Sequence, residues 1–277
     1  MIVHILTDNR TYKRGMRAEH GLSLLIEHEG SKVLFDAGQS DVWVRNAAAM
    51  GLPLSDAAFM VLSHGHYDHA GGLVHAPFQG RGMPLYVHAD AFARKRALNA
   101  DRRTYRDIGI PDAPEILEQS GFHIIRTTDR TCPAPGMTLL ANIPYVHAFE
   151  HHPVGFHIET EHGMAADHMR DEQILVVHTR QGLVVIAGCS HPGIINCLTH
   201  VARQFPDTPF DSVIAGMHLG STGAQRLNET CHRFSEMGIR RLIPLHCTGS
   251  DAICAMARRL PDACRPLCAG DSLDLDL

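Results

Sequence analysis

The run Phe59-Met60-Val61-Leu62-Ser63 passes without a break into His64-Gly65-His66-Tyr67-Asp68-His69, and this junction constrains the chain more than any other feature. An almost unbroken apolar strand fits a sheet covered on both faces, as in layered α/β domains. The polar cluster then lies on the loop beyond the strand's carboxyl end, where ligand sites of such sheets gather. Three imidazoles and one carboxylate fall within six residues. On a short loop His64 and His66 can face one point, while Asp68 and His69 face a second point close by. Nitrogen and carboxylate donors suit Zn²⁺, Fe²⁺ or Mn²⁺, and no quartet of thiolates suggests a closed structural zinc. A mixed His/Asp shell with open positions suits a catalytic ion, which must hold and deprotonate a water. Gly71-Gly72 lets the next element approach closely.

The same grammar of strand, histidine-bearing loop and helix recurs. Leu183 to Ala187 runs into Gly188-Cys189-Ser190-His191, Ser212 to Ala215 into Gly216-Met217-His218, and Arg241 to Leu245 into His246-Cys247-Thr248-Gly249. Helices are predicted after each, over residues 194–204, 224–237 and 250–260. Earlier, strands are expected at 2–6, 21–27, 32–36 and 84–88, with helices at 41–50 and 89–96. Residues 99–118 read as a surface excursion. Strands follow at 122–127 and 137–143, a hairpin joins 173–179 to 183–187, and a short strand closes the chain after Gly270. Cys132, Pro133, Pro135 and Gly136 indicate only a turn. Residues 144–170 are rich in His, Pro, Gly and Met without periodicity, and are expected to form a lid or substrate-binding loop.

One domain over 1–277 is the expectation, since 277 residues can bury a full core. With 25 Lys+Arg against 30 Asp+Glu, the net charge of -5 offers no basic field for nucleic acid or a membrane surface. Arg94-Lys95-Arg96 and Arg102-Arg103 read as solvated faces before they read as a phosphate contact. No apolar run is long enough to span a bilayer, and the start carries no secretory pattern, so a cytoplasmic location is expected. The eight cysteines lack CxxC pairs and read mostly as small buried hydrophobes. A small-molecule substrate is therefore favoured. Homo-oligomerisation stays open.

The His64 to His69 segment resembles the HxHxDH signature of the metallo-beta-lactamase superfamily, and Leu34-Phe35-Asp36-Ala37-Gly38 resembles that superfamily's FDxG element. The resemblance implies an αββα sandwich, an α/β fold with the metal site at one edge of the two sheets. It also implies a site for one or two divalent ions, foremost Zn²⁺. Glu19-His20-Gly21-Leu22, Leu62 to Leu73, Asp171-Glu172-Gln173, Gly188 to Asn196, Gly216 to Leu219 and His246 to Gly249 together resemble one branch of it. That branch is the 7,8-dihydropterin-6-yl-methyl-4-(β-D-ribofuranosyl)aminobenzene 5'-phosphate synthases.

Carried across residue by residue, the resemblance makes His64 and His66 ligands of a first ion and Asp68 and His69 ligands of a second. His246 matches the final histidine ligand, and His191 is the candidate to complete the first ion. Asp36 takes an outer role, holding a ligating imidazole. No aspartate fills the bridging place at the far end of the hairpin, where Gly188-Cys189-Ser190-His191 stands. Cys189 is read as a packing cysteine before a thiolate ligand. Asp8, Asn9, Glu19, His20, Asp171, Glu172 and Thr248 are candidates for support or substrate contact.

The leading expectation is a hydrolase in which a metal-bound hydroxide near Asp68 attacks a small ester, phosphorylated esters included. His218 is a candidate to protonate the leaving group, with ligand and packing roles also open. One alternative is a transferase joining a dihydropterin pyrophosphate to 4-(β-D-ribofuranosyl)aminobenzene 5'-phosphate. Another is a non-enzymatic metal-binding protein, disfavoured because ligands spread over several strand ends suit preorganised chemistry.

Overall fold

The computed structural model describes residues 1–277. In chain order the first elements are β1 (Ile2–Thr7), β2 (Ser23–His28), β3 (Ser31–Phe35), α1 (Val42–Ala49), β4 (Phe59–Val61) and α2 (Tyr67–Ala70). Then come β5 (Met83–His88), β6 (Lys95–Leu98), β7 (Tyr105–Asp107), α3 (Pro114–Gln119), β8 (Phe122–Thr127), β9 (Arg130–Ala134) and β10 (Met137–Leu140). The hairpins β11 (Phe156–Thr160) with β12 (Gly163–Ala166) and β13 (Ile174–Thr179) with β14 (Gly182–Ala187) follow. The chain ends with α4 (Ile194–Gln204), β15 (Phe210–Gly216), α5 (Ala224–Glu236), β16 (Arg241–Leu245), α6 (Ser250–Arg259) and β17 (Ser272–Asp274). No helix is long and apolar enough to cross a membrane.

The chain clusters into two compact units. Unit 1 comprises Met1–Thr127, Pro153–Asp171 and Cys268–Leu277. Unit 2 comprises Thr128–His152 and Glu172–Leu267.

Unit 1 carries a seven-stranded sheet ordered β17-β1-β2-β3-β4-β5-β8. Its first four strands pair antiparallel, and β3, β4, β5 and β8 run parallel, with Phe35 beside Val61 and Met60 beside Leu85. Of the parallel strands β4 is buried along its whole length, as expected of a strand covered on both faces. Trp43 of α1, Phe78, Leu34, Met60 and Leu85 belong to one core cluster. The Trp43 indole N–H donates to the Gly72 carbonyl at 3.0 Å, and a Cβ on Gly72 would meet the Ala37 carbonyl oxygen at 2.0 Å. Only glycine fits there, so the chain after the histidine cluster is pressed against the end of β3.

Unit 2 carries a six-stranded sheet ordered β16-β15-β14-β13-β10-β9, parallel across β14, β15 and β16. The amphipathic α4 turns Ile194, Ile195, Leu198 and Val201 into a separate core with Val185, Val213 and Leu242.

Five expectations need correction. The helix expected at 89–96 is a short 3₁₀ turn at Ala89–Phe92 followed by β6. The period of 2 in β6 buries Lys95 and leaves Arg96 to pair with Asp107 and Glu159, so this basic run is neither a helix face nor an open phosphate patch. The excursion at 99–118 contains β7 and α3, the latter started by Pro114. Around Cys132 the chain forms β9, with the turn confined to the residues after Ala134.

The 144–170 region is not one loop. Residues 156–166 form the hairpin β11–β12, which extends β6 into a four-stranded sheet ordered β12-β11-β6-β7. Its strands lie half-buried or exposed, so they carry no apolar alternation to read. Residues 146–150 are tied to α4 instead. The Asn196 Oδ1 accepts from the Val146 and His147 amides at 2.9 and 3.0 Å, and the buried Glu150 carboxylate accepts from the Ile195 and Asn196 amides at 3.0 and 2.6 Å. Glu150 thus caps the first turn of α4 from a distance in sequence.

Candidate metal centre

In unit 1, β3 and β4 lie side by side and deliver Asp36 and Ser63 together at their carboxyl ends. Asp36 takes a positive φ of 58° and is fully buried. Its Oδ1 accepts from the Ser63 amide at 2.7 Å, and its Oδ2 accepts from the Ser63 hydroxyl at 2.7 Å and from His69 Nδ1–H at 2.6 Å. This fixes the His69 tautomer and leaves Nε2 as a lone-pair donor. With its proton committed to Asp36, the Ser63 hydroxyl accepts from His64 Nδ1–H at 2.9 Å. His64 Nε2 is then also a lone-pair donor, and it faces His66 Nδ1 at 3.0 Å.

That pair tests whether the residues fit a metal ion. Two imidazole nitrogens sharing a tetrahedral zinc at about 2.0–2.1 Å each lie roughly 3.3 Å apart. The observed pair needs only a small opening, with an ion taking the place of the proton that the two nitrogens share. Beside it Asp68 Oδ2 stands 3.9 Å from His69 Nε2. His20 lies on the other side, its Nε2 3.1 Å from Asp68 Oδ2, with Asn9 Nδ2 donating to its Nδ1 at 3.3 Å. The donor set of unit 1 therefore fits a divalent ion.

Asp171 also belongs to this unit. Its Oδ2 accepts from the Gly65 amide at 2.7 Å, between the two histidines, while its Oδ1 accepts from Lys95 Nζ at 2.8 Å. Lys95 donates as well to Asp167 Oδ2 at 2.6 Å, and all three side chains are buried. Burial works against the ammonium, but Asp171 and Asp167 outweigh it and raise the lysine pKa above its ordinary value. Gly65 cannot be replaced, since a Cβ would sit 1.9 Å from the Ala91 carbonyl oxygen. Glu19 does not join the cluster. It accepts from the Gln39 and Ser40 amides at 3.0 and 3.3 Å and so ties down the chain ahead of α1. Asp8 is buried and pairs with Arg10, 3.7 Å from its Nε.

In unit 2 the parallel register sets Ala187 beside Ala215 and Ala215 beside Pro244. The residues just beyond these strands, Cys189, His218, His246 and Cys247, therefore emerge at one sheet edge. His191 is oriented by Glu172, whose Oε2 accepts from His191 Nδ1–H at 2.8 Å and from its amide at 3.0 Å. This tautomer puts the lone pair of the His191 ring on Nε2. His218 and His246 both take positive φ, 46° and 48°. The Thr248 hydroxyl accepts from the Met217 amide at 3.0 Å and so buckles the ends of β15 and β16 together. Cys247 Sγ accepts from the His218 amide at 3.3 Å. Burial opposes charge on both Cys247 and His218, but the hydrogen bond with Cys189 and the contacts with His218 and His246 outweigh it and hold the Cys247 thiol well below its ordinary value, while Cys247 holds the His218 imidazole above its own. The His191 and His218 rings lie 4.8 Å apart.

Sequence reasoning missed Ser63, Lys95 and Glu150. Ser63 was legible in principle, as the last residue of a buried strand directly before the cluster. Nothing in the sequence pairs Lys95 with Asp171, 76 residues away.

The model of the metallo-beta-lactamase superfamily matches residues 16–163, more than half of the chain. The chain belongs to the metallo-beta-lactamase superfamily. Its relatives include the 7,8-dihydropterin-6-methyl-4-(beta-D-ribofuranosyl)-aminobenzene-5'-phosphate synthase of Methanocaldococcus jannaschii, 26% identical over 91% of this chain and 88% of the relative. The uncharacterized protein MJ0448 of the same organism is 28% identical over 93% of this chain and 94% of its own length. Among solved structures, Tm1679, described as a metal-dependent hydrolase of the beta-lactamase superfamily, is 32% identical with a TM-score of 0.86, covering 99% of this chain and 98% of that one. The fold is thus the metallo-beta-lactamase fold, and the chain's curated relatives lie in the branch that its sequence resembles.

Proposed function

We propose that this chain is a metal-dependent hydrolase of a small ester, phosphorylated esters included. The observation that carries this reading is the histidine trio of unit 1, in which Asp36 and Ser63 fix the tautomers of His69 and His64 and leave both Nε2 atoms as donors, that of His64 3.0 Å from His66 Nδ1. In this reading His64, His66, Asp68, His69, His191 and His246 hold one or two divalent ions, foremost Zn²⁺, with Fe²⁺ or Mn²⁺ as alternatives. When bound, such an ion supplies Lewis acidity to water and to a polarised substrate oxygen. Asp68, which also faces His20, orients the attacking water and accepts its proton. His218 serves the leaving group, and Glu172 keeps His191 in the donor tautomer. The protein acts in this reading as a cytoplasmic enzyme, and one catalytic domain spans 1–277.

The second reading is a transferase joining a dihydropterin pyrophosphate to 4-(β-D-ribofuranosyl)aminobenzene 5'-phosphate. It is favoured by the synthase relative, which matches this chain over 91% of its length. The two readings separate in one assay on Zn²⁺-reconstituted protein. The hydrolase reading expects turnover of a panel of small carboxylate and phosphate esters that falls by about two orders of magnitude or more in Asp68→Ala. Pyrophosphate release that requires both transferase substrates, with no ester turnover, would replace it by the transferase. Failure to retain any divalent ion would remove both.

A further inference from the structure

The buried thiol of Cys189 occupies the centre of the donor cluster in unit 2. It stands two residues beyond β14, where the sequence offers no carboxylate, and is 3% exposed. Its Sγ lies within 4.8 Å of a ring nitrogen of His191, of His246 and of His218, and of Cys247 Sγ. The parallel register of β14, β15 and β16 produces this convergence, because it brings the three strand ends out side by side. The close approach is built into the backbone. The Gly216 amide donates to the Gly188 carbonyl at 2.8 Å, and a Cβ on Gly216 would meet that oxygen at 2.4 Å and Cys247 Sγ at 2.8 Å.

The two thiols of the cluster differ in what they touch. Cys247 Sγ accepts from the His218 amide at 3.3 Å and faces the Cys189 carbonyl at 3.6 Å, contacts that hold the strand ends together. Cys189 Sγ has both proposed ligand histidines of unit 2 within reach. One of them, His191, has its Nδ1 committed to Glu172, which leaves Nε2 for a metal.

We propose that Cys189 is a sulfur ligand of the metal centre, standing between the donor positions of His191 and His246. This rests on the reading of the chain as a metalloenzyme and deepens it. The donors of unit 2 become a mixed nitrogen and sulfur set, with a thiol at the strand end where the sequence offers no carboxylate. A soft sulfur ligand favours Zn²⁺, Fe²⁺ or Co²⁺ over hard ions such as Mg²⁺ and Mn²⁺.

The test is optical and needs no substrate. The full chain is purified metal-free, titrated with Co²⁺, and followed through its visible d–d bands and its near-ultraviolet sulfur-to-cobalt charge-transfer band. The expected result is both sets of bands in the wild type, loss of the charge-transfer band in Cys189→Ser and Cys189→Asp, and its retention in Cys247→Ser. Cys189→Asp keeps a ligand at the position, so it should still show d–d bands. Should a Cys189 variant not fold, Cys247→Ser carries the test, since a charge-transfer band that it retains cannot come from Cys247. Co²⁺ d–d bands without charge transfer would overturn the Cys189 assignment and leave the metalloenzyme reading intact. A charge-transfer band that survives Cys189→Ser and disappears in Cys247→Ser would transfer the ligand role to Cys247. No Co²⁺ spectrum of either kind would overturn the metalloenzyme reading and Cys189 with it.

Discussion

The carboxylate of Asp171 accepts at 2.7 Å from the amide of Gly65, the one residue that separates His64 from His66. Its other oxygen is held by Lys95 at 2.8 Å. A buried ion pair thus sets the orientation of the loop that carries two candidate ligands. Lys95→Met leaves Asp167 and Asp171 buried without their cation. The expected cost is about 3–5 kcal/mol, the usual penalty for removing one partner of a buried pair. Urea denaturation of both proteins measures it, and a loss below about 1 kcal/mol would show that the pair does not anchor the loop.

The same pair gives a pH signature. The folded-state pKa of Lys95 lies above its ordinary value of 10.5, so above that value the folded chain holds a proton that the unfolded chain releases. Its contribution to stability is fully present below 10.5 and falls as pH rises through the folded value. In urea midpoints collected from pH 8 upward, the difference between wild type and Lys95→Met should stay constant to about pH 10 and shrink beyond it. A difference that shrinks already between pH 8 and 9 would contradict the assignment.

Asp36 holds His69 in the donor tautomer at 2.6 Å. Asp36→Asn keeps the shape and removes the charge, and affinity for Zn²⁺ is expected to fall about 10- to 100-fold. Competition with a chelating dye reads this directly. Unchanged affinity would deny Asp36 any part in orienting a ligand.

Asn196 and Glu150 fasten residues 146–150 to α4. Asn196→Ala leaves the Val146 and His147 amides without that acceptor. It should cost about 1–3 kcal/mol and accelerate limited proteolysis within 144–152. Cleavage there at the wild-type rate would show that the segment is held by other contacts.

Much of this protein was legible before any coordinates. The apolar run ending in His64 marked a buried parallel strand with polar donors beyond it, because strand length, apolar character and the break at the first histidine are local properties. The repeated passage from strand to histidine to helix named His191, His218 and His246 for the same reason, and the HxHxDH segment named the superfamily. Short strands with exposed faces were not legible. β9, β11 and β12 lack a buried face to write a pattern into the sequence, and β6 hid inside a basic run whose middle lysine is buried only because Asp167 and Asp171 arrive from far along the chain. The electrostatic partners were likewise settled by tertiary structure alone. Asp171 was a candidate without a partner until folding set it against Gly65 and Lys95, and Cys189 read as a packing residue until three parallel strand ends surrounded it with imidazoles. A hydrogen bond or a shared ion acts over about 3 Å of space, and no spacing along the chain encodes a contact between residues that only the register of a sheet brings together.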